Sequence, residues 1–201
     1  MIINQPDTAL LDALLETIEK EIIPKTKDGV KRGSKIFGAA LLRKSDYSVV
    51  VAETNNEIDN PLWHGEVHAL KRLYEIPIET RPDTKELIFL STHEPCSMCL
   101  SAIAWSGFDN FYYFFSHEDS RDSFSIPHDL RILKEIFTLD PGGYRRTNAF
   151  WESHEIQSMI EAAASPHRER LQHRAESIAQ SYGALSSLYQ RGKAMSSIPL
   201  K

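Results

Sequence analysis

Between Ile36 and Phe115 the sequence switches repeatedly between strand and helix patterns, and this alternation constrains the fold more than any other feature. "IFGAALLR" and "YSVVVAET", separated by "KSD", read as two strands joined by a tight turn. From about Gly65, Val67, Leu70 and Tyr74 recur at helical spacing until "IETRPDT" breaks the pattern, and "ELIFLST" then reads as a strand. "PCSMCLSAIAWSG" begins with Pro95 in a first-turn position and ends with Gly107 at a C-cap position, which makes it a helix. "NFYYFFS" returns to strand composition. Connections of this length are crossover units, so the expected class is α/β, a largely parallel sheet covered by helices on both faces.

The flanks are helical. Ahead of the strands, Asp7 caps an amphipathic helix whose apolar positions are Leu11, Leu14, Leu15, Ile18 and Ile22, and Pro24 is expected to stop it. Beyond Phe150 β-branched residues nearly vanish, and two helices broken at Ser165-Pro166 are expected. This predicts a first unit over residues 1–150 and a helical extension with a tail over 151–201. The last nine residues, "KAMSSIPLK", read as a tail of uncertain order. Arg168, Arg170 and Arg174, with His167 and His173 between them, read as a solvated helix face.

Composition narrows the partners. With 28 acidic against 23 basic residues the chain is a poor polyanion binder, because phosphate affinity comes largely from Lys and Arg. The opening "MIINQPDTAL" has no basic segment followed by an apolar run, and no long apolar stretch occurs, so a cytoplasmic protein without export or a membrane span is expected.

Cys96 and Cys99 are the only cysteines, three apart at the start of a helix, where unpaired backbone N–H groups favour thiolates. Such a pair is poor disulfide material, which leaves a metal site or a redox motif. There is no second cysteine pair for a closed structural site, so zinc here needs a histidine and keeps one position open. About thirty residues upstream, His64-Gly65-Glu66 supplies an imidazole and a carboxylate. H-x-E followed by P-C-x-x-C is far more specific than the cysteine pair alone.

His64-Gly65-Glu66 with Pro95-Cys96-Ser97-Met98-Cys99 resembles the signature of the zinc-dependent cytidine deaminase superfamily, over roughly Ile36 to Phe115. "EPCSMCLSAIAWSG" is most similar to the guanine deaminase and tRNA adenosine deaminase branches, whereas Gly65 is similar to fungal-type cytosine deaminases. The resemblance implies a three-layer helix-sheet-helix fold with a five-stranded mixed sheet. It also implies one zinc per chain, held by His64, Cys96 and Cys99 with water completing the set, and Glu66 as the proton carrier. The implied reaction is hydrolysis of an exocyclic amine on a nucleobase, nucleoside or related heterocycle, guanine or cytosine first, with release of ammonia. A small heterocyclic amine is then the partner, and a homo-oligomer is expected. The alternatives are a tRNA adenosine deaminase, a non-catalytic zinc-containing domain and a redox protein.

Other residues have competing readings. Asn55, near the end of the second strand, either binds the substrate ring, as the resemblance implies, or is a turn asparagine; Asn56 is an equal candidate. His68 reads as structural, Glu94 as a cap or a support of the metal site, and Trp63, Trp105 and Phe111 to Phe115 as core. His93, His117 and the segment "SHEDSRDSFSIPHDLRILKEI" carry no assignment.

Overall fold

The structure, a computed structural model, describes residues 6–139 and 142–201; residues 1–5, part of the stretch read for an export signal, lie outside it. Helix α1 (Thr8–Thr17) starts as expected, with Asp7 accepting from the backbone of Ala9 and Leu10. Pro24 does not end the helical run. A π-helical turn, Ile18–Ile22, leads directly into α2 (Ile23–Lys31), and Pro24 sits in the first turn of α2. A proline is tolerated there because the wider turn before it removes the need for its missing N–H.

Five strands follow: β1 (Gly38–Arg43), β2 (Val49–Thr54), β3 (Leu87–His93), β4 (Asn110–Phe115) and β5 (Glu152–Glu155), in the spatial order β2-β1-β3-β4-β5. β1 is antiparallel to β2 and to β3, while β4 is parallel to β3 and to β5. The sheet is therefore mixed, as the resemblance implied, and not largely parallel as alternation alone suggested. The cause is the "KSD" hairpin: it folds β2 back along β1, and β3 then joins the free edge of β1.

Both faces of the sheet are buried, by alternate residues. Ala40, Leu42, Ile88 and Leu90 pack with α1, the π-turn and the C-terminal helices. Ala39, Leu41, Leu87 and Phe89 pack with α3 (Gly65–Glu75) and α4 (Ser97–Trp105). This period-two division builds three layers from short strands. Two further helices, α5 (His117–Asp122) and α6 (His128–Phe137), fill the unassigned segment after β4.

Residues 152–155, expected as helix, form β5 instead. "ESHE" carries no strand pattern of its own, and its pairing with β4 decides its conformation; His154 stacks on Tyr112 at 4.6 Å. α7 (Ile156–Ala162) and α8 (His167–Gly192) follow, and their Ile156, Ile160, Leu171, Ile178 and Tyr182 share one core with Leu11, Leu14 and Ile18. The tail is anchored: Ser196 and Ile198 are buried, and Ser196 Oγ donates to Gly33 O at 2.8 Å. The arginine cluster is occupied within the chain. Arg170 pairs with Asp12 at 2.6 Å, and Arg174 with Asp12 and Glu19, each at 2.8 Å, which clamps α8 to α1.

Candidate active site

His64 is the N-cap residue of α3, with extended backbone, and Cys96 is the N-cap residue of α4. The start of α3 presses against β1: a Cβ on Gly65 would lie 2.6 Å from the Gly38 Cα, so only glycine fits between His64 and Glu66. Asn55 is held by two contacts within the chain. Its Oδ1 accepts from the Gly65 backbone at 2.6 Å and its Nδ2 donates to Glu57 Oε2 at 3.0 Å, so the buried amide pins the first residue of α3. Asn56 Nδ2 donates to Asp59 Oδ2 at 2.7 Å, and its buried Oδ1 has no partner among the described residues.

His64 Nδ1 lies 3.6 Å from Cys96 Sγ and 3.8 Å from Cys99 Sγ, and the two sulfurs are 3.5 Å apart. A tetrahedral zinc with Zn–S near ~2.3 Å and Zn–N near ~2.0 Å has ligand–ligand edges of about 3.5–3.8 Å, so the three donors fit that ion. Three protein ligands leave one position open, the arrangement of a catalytic zinc. The thiols are unequal before any metal binds. A hydrogen bond from Cys99 and the His64 imidazolium pull Cys96 well down despite burial, whereas burial and the neighbouring Cys96 push Cys99 well up. Burial pushes His64 down, but its hydrogen bond to Cys96 and the nearby thiolate outweigh this and raise it to about 9.

Glu66 is buried beside this group, its Oε2 3.3 Å from Cys99 Sγ. Burial first, then the Cys96 thiolate, raises its carboxyl above the ordinary range, a shift suited to a group that must take up and release a proton. Ser91 Oγ lies 2.9 Å from Glu66 Oε1 and 2.6 Å from His93 O, which fixes the carboxyl from behind.

His64 and Cys96 open onto a pocket of about 420 Å³ whose walls include Phe37, Leu62, Ile126 and Ile132. Four titratable residues on that wall escaped the sequence reading: Lys35, Glu57, His128 and Asp129. Asp129 has no hydrogen-bond partner among the described residues, and burial, then the Cys96 thiolate, raise its carboxyl to about 7. The helical periodicity of "HDLRILKEIF" was its one sequence signal.

The other candidates have structural partners. His68 Nδ1 lies 2.9 Å from Thr54 O and its ring stacks on Trp63, apart from the three ligands. Glu94 accepts from the His117 backbone and from Tyr144 Oη and pairs with Arg146, so it caps α5 and ties down the segment before β5. His93 packs among Phe37, Phe115, Phe124 and Tyr182. His117 Nε2 contacts Pro95 O at 3.2 Å. Phe111, Tyr113, Phe114 and Phe115 are core, but Trp105 is 91% exposed, against expectation, because it ends α4 on the outer side.

Comparison with known proteins agrees with this geometry. Guanine deaminase of Bacillus subtilis (strain 168) is 28% identical over 141 residues, 68% of this chain and 84% of that protein. A probable cytosine deaminase of Schizosaccharomyces pombe is 27% identical over 100 residues, 50% of this chain and 59% of that one. The solved structure of the Bacillus subtilis guanine deaminase superposes with a TM-score of 0.50 at 25% identity, covering 67% of this chain and 86% of that one. The model of the cytidine and deoxycytidylate deaminase zinc-binding region matches residues 15–115, half of the sequence. A match of that extent, over both signature stretches, makes this chain a member of the zinc-binding cytidine and deoxycytidylate deaminase family, hydrolases that break a C–N bond.

Proposed function

We propose that this deaminase acts on a free nucleobase or a closely related aminated heterocycle, with guanine and cytosine as the first substrates, and that Glu66 carries its protons. The observation that carries this reading is the placement of Glu66: a buried carboxyl with a raised affinity for protons, between three zinc-compatible donors and an apolar pocket. The guanine and cytosine deaminases among the relatives support the substrate class.

In this reading His64, Cys96 and Cys99 hold the zinc. Held there, zinc would lower the pKa of a bound water, so that a nucleophile would be available near neutral pH. Glu66 takes the proton that the water gives up and delivers it to a ring nitrogen, which makes the amine-bearing carbon open to attack. Once hydroxide has added to that carbon, Glu66 takes the proton of the new hydroxyl and passes it to the amine, so that the C–N bond breaks, the carbonyl forms and ammonia leaves. Ser91 keeps Glu66 Oε1 in place, Asn55 sets the start of α3 that carries Glu66, and Asp129 accepts from an N–H edge of the substrate. Phe37, Leu62 and Ile132 exclude water from the ring faces.

Ammonia release from a panel of bases, nucleosides and pterins tests this. At least guanine or cytosine should turn over, with a KM that barely moves as salt rises, since an uncharged base releases no counterions. Inosine formation in tRNA with a steep salt dependence, and no reaction of free bases, would replace this reading by a tRNA deaminase. The pairing of Arg170 and Arg174 with Asp12 and Glu19 weighs against that outcome, because those guanidinium groups are not free for phosphates.

A further inference from the structure

One charged pair in the pocket wall has no part in the proton transfers. Lys35, on the loop before β1, and Glu57, just after β2, meet with Nζ 2.6 Å from Oε1. Their side chains are 5% and 3% exposed. Glu57 is fully engaged: its Oε2 also accepts from the Lys35 backbone at 2.9 Å and from Asn55 at 3.0 Å. Burial pushes its carboxyl up, but Lys35 more than offsets this and holds it below the ordinary value.

The ammonium is not fully engaged. It has three N–H groups, and among the described residues its one hydrogen-bond partner is Glu57. The remaining donors belong to a group that lines the pocket beside Phe37, Pro61 and Leu62. A buried ion pair is a weak source of stability, because removing both charges from water cancels much of their attraction. A buried donor with spare N–H groups in an apolar wall is instead what orients a ligand.

We propose that Lys35 is a specificity-determining residue that donates to an oxo group on the ring of the substrate, so that the site selects amino-oxo heterocycles over amines lacking that oxygen. This deepens the nucleobase reading above and rests on it. Charge favours a neutral carbonyl over a phosphate as the acceptor. Glu57 already neutralises the ammonium, and Asp129 lines the same pocket, with Glu66 buried behind its His64 and Cys96 wall. A phosphate dianion would meet these carboxylates, and His128, the other basic group on the wall, is held below its ordinary pKa by burial and then by Lys35, Lys193 and Arg131, whereas a carbonyl oxygen gains a charge-assisted hydrogen bond.

Two matched pairs of compounds test this: guanine with 2-aminopurine, and cytosine with 4-aminopyrimidine. Within each pair the amine is the same, and the second member lacks the oxo group and, with it, the adjoining ring N–H, so the change in preference between wild type and a Lys35 variant isolates the contact to the oxygen. The wild type should prefer the oxo member by about 10- to 100-fold in kcat/KM, the discrimination expected of a hydrogen bond to a charged donor. Lys35→Met alone strands Glu57 as a buried unpaired charge, so the Lys35→Met/Glu57→Gln double variant is the informative one. In folded double variant with one zinc per chain, the preference should fall to within about threefold, through a raised KM for the oxo member. Equal losses on both members, or an unchanged preference, would make Lys35 a brace only and overturn the proposal. A wild type that deaminates bases without preferring the oxo member would also overturn it, whether or not the double variant folds. A wild type that releases ammonia from none of the four compounds would overturn the nucleobase reading itself, and this proposal with it.

Discussion

At the scale of single residues, two members of the donor triad favour their protons before any metal binds: His64 is raised to about 9 and Cys99 is pushed well up, whereas Cys96 is pulled well down. Zinc must displace the protons of His64 and Cys99, so uptake near pH 7 should release about two protons per ion. Because the metal-free protein binds more protons than the loaded one, the apparent affinity should rise with pH and lose one proton's worth of slope above about 9, where His64 is already neutral. Calorimetric titration in buffers of different ionisation enthalpy measures the proton count; a count near zero would contradict this charge distribution. His64, Glu66, Cys96 and Cys99 were legible in the sequence because each lies in a short motif whose spacing is itself the signal. Lys35, Glu57 and Asp129 were not, since they come from three separate segments and acquire meaning only when folding brings them to one wall. Asn55 was legible as a position, but its partners, the Gly65 amide and Glu57, are set by packing.

Among the elements, the junction of α3 with β1 tolerates the least change. Gly65→Ala would place a methyl 2.6 Å from the Cα of Gly38 and 2.8 Å from its carbonyl carbon, backbone atoms that cannot rotate away. The expected cost is about 1–3 kcal/mol, the usual range for overpacking. The shift would also carry His64 and Glu66 on either side, so urea unfolding and zinc retention should both worsen. Unchanged stability together with unchanged zinc would contradict the close approach. Helices α1, α3, α4, α7 and α8 and the four longer strands were readable from periodicity and punctuation, whereas α5 and α6 were not, although Ser116 and Asp119 form a capping box at the start of α5. β5 was not, because a four-residue edge strand is specified by the β4 ladder beside it and not by its own composition. Pro24 misled for a similar reason: a proline marks a helix end unless the preceding turn has already changed its hydrogen bonding.

On the scale of the whole molecule, the boundary expected at residue 150 falls two residues ahead of a strand that completes the sheet, and the helices after it share the core of α1. The final residues also reach the pocket, where Pro199 and Leu200 form part of the rim. Strand ends and helix starts thus bring His64, Glu66, Cys96 and Cys99 together on one side of a sheet that the entire chain stabilises. In the function proposed above, this assembly is a hydrolytic centre in which Glu66 moves protons and the other three hold the ion. Ammonia release by zinc-loaded wild type and Glu66→Gln, measured on guanine and cytosine at equal zinc content, separates the proton carrier from the ligands. Glu66→Gln should keep its fold and one zinc per chain yet lose about 100- to 10,000-fold in turnover, the share that general acid–base catalysis supplies. A folded, zinc-loaded Glu66→Gln protein that releases ammonia at close to the wild-type rate would contradict that role of Glu66.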